Sequence, residues 1–249
     1  MLHVQAIKKV YDKQIAVHDV SFHIGQGEVV GLVGPNGSGK TTTINAILNV
    51  INLTDGAVHM GDFPCTSKSF KKQVSYVPDD LLLPHVLTGK EYIEFVAAMY
   101  ELDIANNERL TSLIDIFDMK EALKKPIEAY SHGMKKKIQL ISAVMLDTKL
   151  LVLDEPFRGL DIEASIITKK LIKNFTRQNC SLLLSTHDLL TAEALCDRIV
   201  ILSKGEKVAE GSPEELKQTY GATDLEEVFL IASGLKSRSD RYEKIIQNM

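Results

Sequence analysis

Gly34-Pro35-Asn36-Gly37-Ser38-Gly39-Lys40-Thr41 decides the fold of this chain. A triphosphate carries dense negative charge, and a backbone that curls around it must point its N–H groups inward. Gly34, Gly37 and Gly39 give the chain that freedom. Lys40 places one cation on the β/γ-phosphates, and the Thr41 hydroxyl is suited to ligate Mg²⁺. Working outward, Glu28-Val29-Val30-Gly31-Leu32-Val33 reads as a buried strand leading in. Thr41-Thr42-Thr43-Ile44-Asn45-Ala46-Ile47-Leu48 reads as a helix leading out, with its positive dipole end at the phosphates.

The chain has 249 residues and 45% hydrophobic content, enough for one substantial core with a smaller lobe attached. The formal net charge is -4, which is not the basic footprint of a nucleic-acid binder, so no nucleic-acid partner is expected. Lys135-Lys136-Lys137 is too short to change that and reads as a solvated helix face. No apolar run approaches the ~20 residues that span a bilayer. Met1-Leu2-His3-Val4-Gln5 lacks the pattern of a signal peptide. Cys65, Cys180 and Cys196 are few and widely spaced, as in a reduced cytoplasmic protein.

Upstream of the loop, Leu2 to Lys9 and Val17 to Ile24 read as strands, and downstream so do Ala57 to Met60 and Gln73 to Val77. The pattern then changes. Thr88-Gly89-Lys90-Glu91 has the form of a capping box. Tyr92, Phe95, Val96, Met99 and Tyr100 follow at helical spacing, Leu110, Leu113, Ile114 and Phe117 repeat it, and a third helix starts near Ser131. After Lys149 the β/α rhythm returns, with apolar strands Leu150 to Asp154 and Ser181 to Ser185 around a helix from Ile162 to Thr176. Ile199 to Ser203 and Glu206 to Glu210 read as a hairpin turning at Lys204-Gly205, and two short helices follow. The fold class is therefore α/β. One domain is expected over 1–232, with a nucleotide-binding core of 1–87 and 148–232 and a helical subdomain at 88–147. A charged tail fills 233–249 and is expected to be loosely ordered.

Two further strand ends carry chemistry. Leu150 to Leu153 ends in Asp154 and Glu155, and an acid at the carboxyl end of a parallel strand faces the ligand crevice. Asp154 suits the orientation of Mg²⁺, and Glu155 the activation of water for attack on a γ-phosphate. Such a pair alone would also fit an ordinary strand-end turn. Ser185-Thr186-His187-Asp188 places a histidine at the end of the next strand. A lone histidine there is more often structural, and the companion motifs favour a role at the γ-phosphate.

With these residues in order, the chain resembles an ATP-binding cassette (ABC) ATPase from about Leu2 to Ala232. The phosphate loop matches Walker A, and Asp154-Glu155 matches Walker B with its catalytic acid. Tyr130-Ser131-His132-Gly133-Met134 sits where the family has its Leu-Ser-Gly-Gly-Gln signature. Gly159-Leu160-Asp161 matches the D-loop, and His187 the switch histidine. Tyr11 matches the aromatic that stacks on adenine, although Val10 and Asp12 beside it also suit an edge strand. The resemblance implies a P-loop core with an N-terminal antiparallel β subdomain and an inserted α-helical subdomain. It also implies ATP and Mg²⁺, the metal held by Thr41, Asp154 and Asp79. Glu155 and His187 would be catalytic, and Gly34 to Thr42 would bind nucleotide. Ser131 and Gly133 would act in trans on the nucleotide of a second cassette, in a homo- or heterodimer. A separate transmembrane permease is implied as partner, with this chain on the cytoplasmic side of the membrane. Asp224 to Leu230 resembles the tail helix of exporter cassettes for drugs, peptides or polysaccharides. A soluble assembly- or repair-type ATPase is the alternative. The chain departs from the family at His132, at Met134, and at Asp79, where glutamine is usual. A carboxylate there can still ligate Mg²⁺, but it adds negative charge near the phosphates, which would suit a weakly catalytic nucleotide-binding scaffold.

Overall fold

The computed structural model describes residues 1–237. All but Lys236 and Ser237 of the charged stretch from Lys236 to Met249 lies outside the described residues. Among the described residues, ten strands form two sheets. Strands β1 (Leu2–Tyr11), β2 (Gln14–Ile24), β4 (Asp55–Met60) and β5 (Phe63–Pro64) make an antiparallel sheet in the order β2-β1-β4-β5. Strands β3 (Val29–Val33), β6 (Val74–Val77), β7 (Leu150–Asp154), β8 (Ser181–Thr186), β9 (Arg198–Ser203) and β10 (Glu206–Gly211) make the second sheet, ordered β10-β9-β3-β8-β7-β6. All its pairings are parallel except the β9–β10 hairpin.

Strands β3, β7 and β8 are buried along their whole length, which explains their apolar runs. Alternate residues serve two cores. Val30, Leu32, Leu150, Val152, Leu183, Val200 and Leu202 face the antiparallel sheet and helix α1 (Lys40–Ile47). Val29, Val33, Leu151, Leu153, Leu182, Leu184, Ile199 and Ile201 face the other way, toward the helices. Those helices are α3 (Gly89–Met99), α4 (Glu108–Ile116), α5 (His132–Val144), α6 (Ile162–Arg177), α7 (Leu189–Leu195), α8 (Pro213–Tyr220) and α9 (Leu225–Ala232). A four-residue helix α2 (Lys68–Lys71) precedes β6. Between β6 and β7 the chain forms no strand, only α3, α4, α5 and two 3₁₀ turns.

Caps set the helix starts as the sequence indicates. Thr88 and Glu91 form a complete capping box at α3, and the Ser131 hydroxyl accepts the Met134 N–H at the start of α5. The Lys135-Lys136-Lys137 run corrects the expectation of a solvated face. Lys136 is 1% exposed, and its ammonium donates to the Pro78 carbonyl at 2.7 Å. Lys137 pairs with Asp161 at 3.3 Å. Lys136 shares a stripe of α5 with Leu140 and Ala143, four and seven residues on, and that stripe faces inward.

Register positions the site. Val33 is level with Thr186, Asp154 with Ser185, and Val77 with Leu153. The chain therefore leaves β3, β6, β7 and β8 at one edge of the sheet, the crevice side of an open α/β sheet. Helix α1 links the two sheets through Ile44, which is completely buried. Ile44→Ala is expected to destabilise the protein by about 2–5 kcal/mol, whereas Leu82→Ala, at a position 88% exposed, stays within about 0.5 kcal/mol of wild type in denaturant unfolding.

Candidate active site

At that edge the loop from Gly34 to Gly39 turns into α1. Gly39 is the N-cap residue at φ 103, and a Cβ there would press on the Ala16 carbonyl at 2.9 Å. A Cβ on Gly34 would collide with the Leu202 carbonyl and the Ser38 hydroxyl. The loop is pinned from the β9–β10 turn, where the Gly205 N–H donates to the Ser38 carbonyl at 3.0 Å. Pro35, Asn36 and Gly37 remain exposed, while Ser38 and Lys40 are buried. The Lys40 ammonium donates to the Gly34 carbonyl at 2.7 Å and the Pro35 carbonyl at 3.3 Å, and lies 3.9 Å from a Glu155 carboxylate oxygen. Burial lowers its pKa, against the pull of Glu155, Asp154 and Asp79.

Asp154 is 1% exposed at the end of β7. One carboxylate oxygen accepts the Thr41 hydroxyl at 3.1 Å and the other accepts the Ser185 hydroxyl at 2.6 Å. Burial raises its pKa despite both hydrogen bonds. Glu155 turns away from the strand with φ 45, a left-handed conformation. One of its carboxylate oxygens is 2.9 Å from His187 Nδ1. Asp79, on the segment leaving β6, accepts the Arg158 guanidinium at 2.8 Å through Oδ2. Its Oδ1 is buried with no hydrogen-bond partner.

Of these groups, Lys40, Thr41, Asp79 and Glu155 line a cavity of about 440 Å³ with Gly37 and Gly39, among others, whereas Gly34, Pro35, Ser38, Asp154 and His187 do not line it. Thr42 also lines it. The loop chemistry fits a phosphate group, since buried donors converge where a Cβ would not fit and the Ser38 hydroxyl has no partner. Thr41, Asp154 and the unpartnered Asp79 Oδ1 are hard oxygen donors of the kind Mg²⁺ takes. Among the described residues, no three His, Cys, Asp or Glu side chains form a cage. That suits a metal which also relies on phosphate oxygens.

The lining adds residues that the sequence does not mark as part of the site. Gln14, Ile15 and Ala16 come from the start of β2, and Lys204 from the β9–β10 turn. Their strand-edge and hairpin positions carry no local motif. The packing of Gly39 and Gly205 against Ala16, with backbone hydrogen bonds from the His18 N–H to the Gly205 carbonyl and from the Gly205 N–H to the Ser38 carbonyl, brings them to the loop. Tyr11 is half-exposed at the end of β1, with the Lys9 ammonium 4.8 Å above its ring, and does not line the cavity. Ser131, Gly133 and Asp161 do not line it either. Ser131 caps α5 from an exposed position, and Asp161 caps α6 by accepting the Ala164 N–H at 2.7 Å.

The sequence profile of the ABC transporter family matches residues 17–158. The chain belongs to the ABC transporter family. It is an ATP-binding, ATP-hydrolysing cassette of that family. It is 33% identical over 235 residues to the ABC-type transporter ATP-binding protein EcsA of Bacillus subtilis, covering 92% of this chain and 95% of that one. It is 31% identical to the Nod factor export ATP-binding protein I of Burkholderia pseudomallei, covering 90% of this chain and 75% of that protein. A solved ATP-binding subunit of an ABC transporter superposes with a TM-score of 0.89 at 32% identity, covering 94% of this chain and 99% of that one.

Because burial disfavours the ionised form of Asp154, its charge costs folding stability at neutral pH, where the unfolded chain would carry it freely. Wild-type stability should therefore fall relative to that of Asp154→Asn as pH rises from about 4 toward 7, read in melts of the nucleotide-free protein. The same variant loses the extra thermal stabilisation that Mg²⁺ adds to ATP in wild type, read in melts with and without the metal.

Proposed function

We propose that this cassette powers a separate membrane permease, works as a head-to-tail pair, and drives export. The observation that carries the paired reading is the separation of two motifs. The signature residues Ser131 and Gly133 stand at the N-terminus of a thirteen-residue helix, outside the cavity that holds Lys40 and Thr41. A two-fold pair uses one patch twice, so a single kind of chain can supply both halves, and a second, different cassette can do the same.

In this reading the Gly34 to Thr42 backbone and Lys40 hold the phosphates. Lys40 exchanges its contacts with the Gly34 and Pro35 carbonyls for phosphate oxygens. Thr41, Asp154 and Asp79 would hold Mg²⁺, which would supply positive charge to offset the charge that develops on the phosphates. Glu155 takes the proton of the attacking water, and His187, already 2.9 Å from it, fixes the carboxylate. Tyr11 stacks on the adenine after leaving Lys9. Asp161 lies at the pair interface, and Ser131 with the α5 N-terminus meets the γ-phosphate of the other chain. ATP contacts both halves only when they close, so its binding energy shifts an open–closed equilibrium.

Two features support the permease partner. No helix among the described residues is long and apolar enough to cross a membrane. Leu82 and Val86 are 88% and 87% exposed on the segment after Asp79, and Phe95 and Met99 are exposed on α3. Apolar side chains gathered on one lobe suit a protein partner. They follow Asp79 in the chain, so closure at the nucleotide would be felt there. Export is supported by the similarity to a Nod factor export protein and by α9, the tail helix. The site of action would be the cytoplasmic face of the membrane. The exported molecule would be of the drug, peptide or polysaccharide class.

Glu155→Gln is expected to bind ATP, to turn over about 10²–10⁴-fold more slowly, and to accumulate as a dimer in size-exclusion chromatography with light scattering. Adding Ser131→Arg should return it to monomer while leaving ATP bound; a persistent ATP-dependent dimer would refute the trans role. Affinity capture of the wild-type chain from detergent-solubilised membranes should bring down an integral membrane protein. That capture should weaken in Leu82→Asp/Val86→Asp, and a capture that never contains a membrane protein counts against the transport reading.

A further inference from the structure

Two carboxyl groups, Asp79 and Glu155, line a cavity that must accept a polyanion, and a third, Asp154, is buried beside Thr41. Asp79 is the unusual one, because it puts a charge where an amide would be neutral. The structure shows how that charge is met. Arg158 lies in the turn after Glu155, where its N–H donates to the Glu155 carbonyl at 3.2 Å. From there its guanidinium reaches across to Asp79 Oδ2 at 2.8 Å. Lys136 supports the same segment from below through the Pro78 carbonyl at 2.7 Å, and it is also 3.5 Å from the Asp154 carbonyl. The second Asp79 oxygen, Oδ1, stays buried and without a partner, on a residue that lines the cavity beside Lys40 and Thr41. A carboxylate oxygen left unsatisfied in a buried position is costly unless something fills its lone pairs when the site is in use.

We propose that Arg158 is a positioning residue for nucleotide binding. It neutralises Asp79 and holds that carboxylate at the phosphate cavity. This rests on the assignment of the Gly34–Thr42 loop and Asp79 made above. The pair also ties the segment leaving β6 to the turn that carries Glu155, so the Asp79 and Glu155 carboxylates move together. Its stability value is small, since Arg158 is 67% exposed and exposed ion pairs contribute little to folding. The pair therefore separates a positioning role from a structural one.

The experiment compares wild type, Arg158→Ala, Arg158→Lys, Asp79→Gln and the double variant Asp79→Gln/Arg158→Ala. Affinity for a non-hydrolysable ATP analogue is measured by calorimetry in Mg²⁺ and in EDTA, beside the Tm of the nucleotide-free protein. Removing Arg158 alone leaves Asp79 facing the phosphates unpaired. Affinity in EDTA should fall about tenfold, with a smaller loss in Mg²⁺, where the metal supplies the missing positive charge. Arg158→Lys should recover most of the loss. The double variant should bind within about twofold of Asp79→Gln, because the charge that Arg158 answers is gone. The nucleotide-free Tm should not move in Arg158→Ala. Unchanged affinity in Arg158→Ala, equal losses with and without Asp79, or a lowered Tm each overturn the proposal. Lys40→Ala runs alongside and should lose about 10- to 150-fold in affinity. Wild-type binding by that variant would remove the loop assignment itself, whereas a normal loss there beside an inert Arg158→Ala removes only this inference.

Discussion

The Asp154 carboxyl group is where the two halves of the chain meet. It closes β7, accepts the Thr41 hydroxyl from the first turn of α1, and accepts the Ser185 hydroxyl from β8. Those partners are separated from it by 113 and 31 residues, so the contacts form only when the parallel register is correct. A one-residue slip would exchange the two faces of β7 and turn this carboxyl group and its neighbours into the wrong core. The nucleotide loop, Glu155, His187 and the Asp79 segment all leave the sheet at one edge because β3, β6, β7 and β8 keep that register. Burying Asp154 costs stability, and a fully apolar strand end would fold more easily. The cost is concentrated where oxygen donors are needed, which is the usual signature of a site rather than of a core.

What the sequence made legible follows from where the information is local. Strand β3, the loop and α1 are contiguous, and each is written in a few residues: an apolar run, three glycines, a lysine and a helix-forming stretch. Capping at Thr88 and Ser131 is likewise local. The short strand β5 and helices α2 and α7 were not anticipated. Two residues of strand or four of helix carry no period, and α7 announces itself only through Asp188, whose side chain accepts the Leu190 and Thr191 N–H groups. Lys204, Gln14 and Ile15 reach the cavity through sheet topology, which no spacing rule records. Lys136 is a different kind of miss. Leu140 and Ala143 lie four and seven residues beyond it, so helical period alone turns it inward, but its charge argued for solvent.

A buried lysine holds its place only where opposite charge and hydrogen-bond acceptors surround it. Desolvation lowers the Lys136 pKa, and Asp79, Asp154 and Glu155, in that order, pull it back. Lys40 is in the same position, with the same three carboxyl groups acting on it. With Arg158 on Asp79, the group comprises Lys40, Lys136 and Arg158 against Asp79, Asp154 and Glu155. The cassette's own cations and carboxylates are thus close to balance apart from any nucleotide. That balance lets six ionisable groups pack at one sheet edge.

The same balance limits what one chain can do with a triphosphate. ATP adds several negative charges to a site whose cations are already engaged. Lys40 can be released from the Gly34 and Pro35 carbonyls, but Lys136 lies beneath the sheet edge and Arg158 is held by Asp79. Mg²⁺ would supply part of the deficit, and the loop N–H groups with the α1 dipole would supply more. The N-terminus of α5, capped by an exposed Ser131 and carrying roughly half a positive charge, is unused in its own chain's cavity. Charge balance therefore argues in the same direction as motif placement. A cassette whose own charges already balance would gain from a second helix N-terminus at its nucleotide, which is what the proposed two-fold pair would bring.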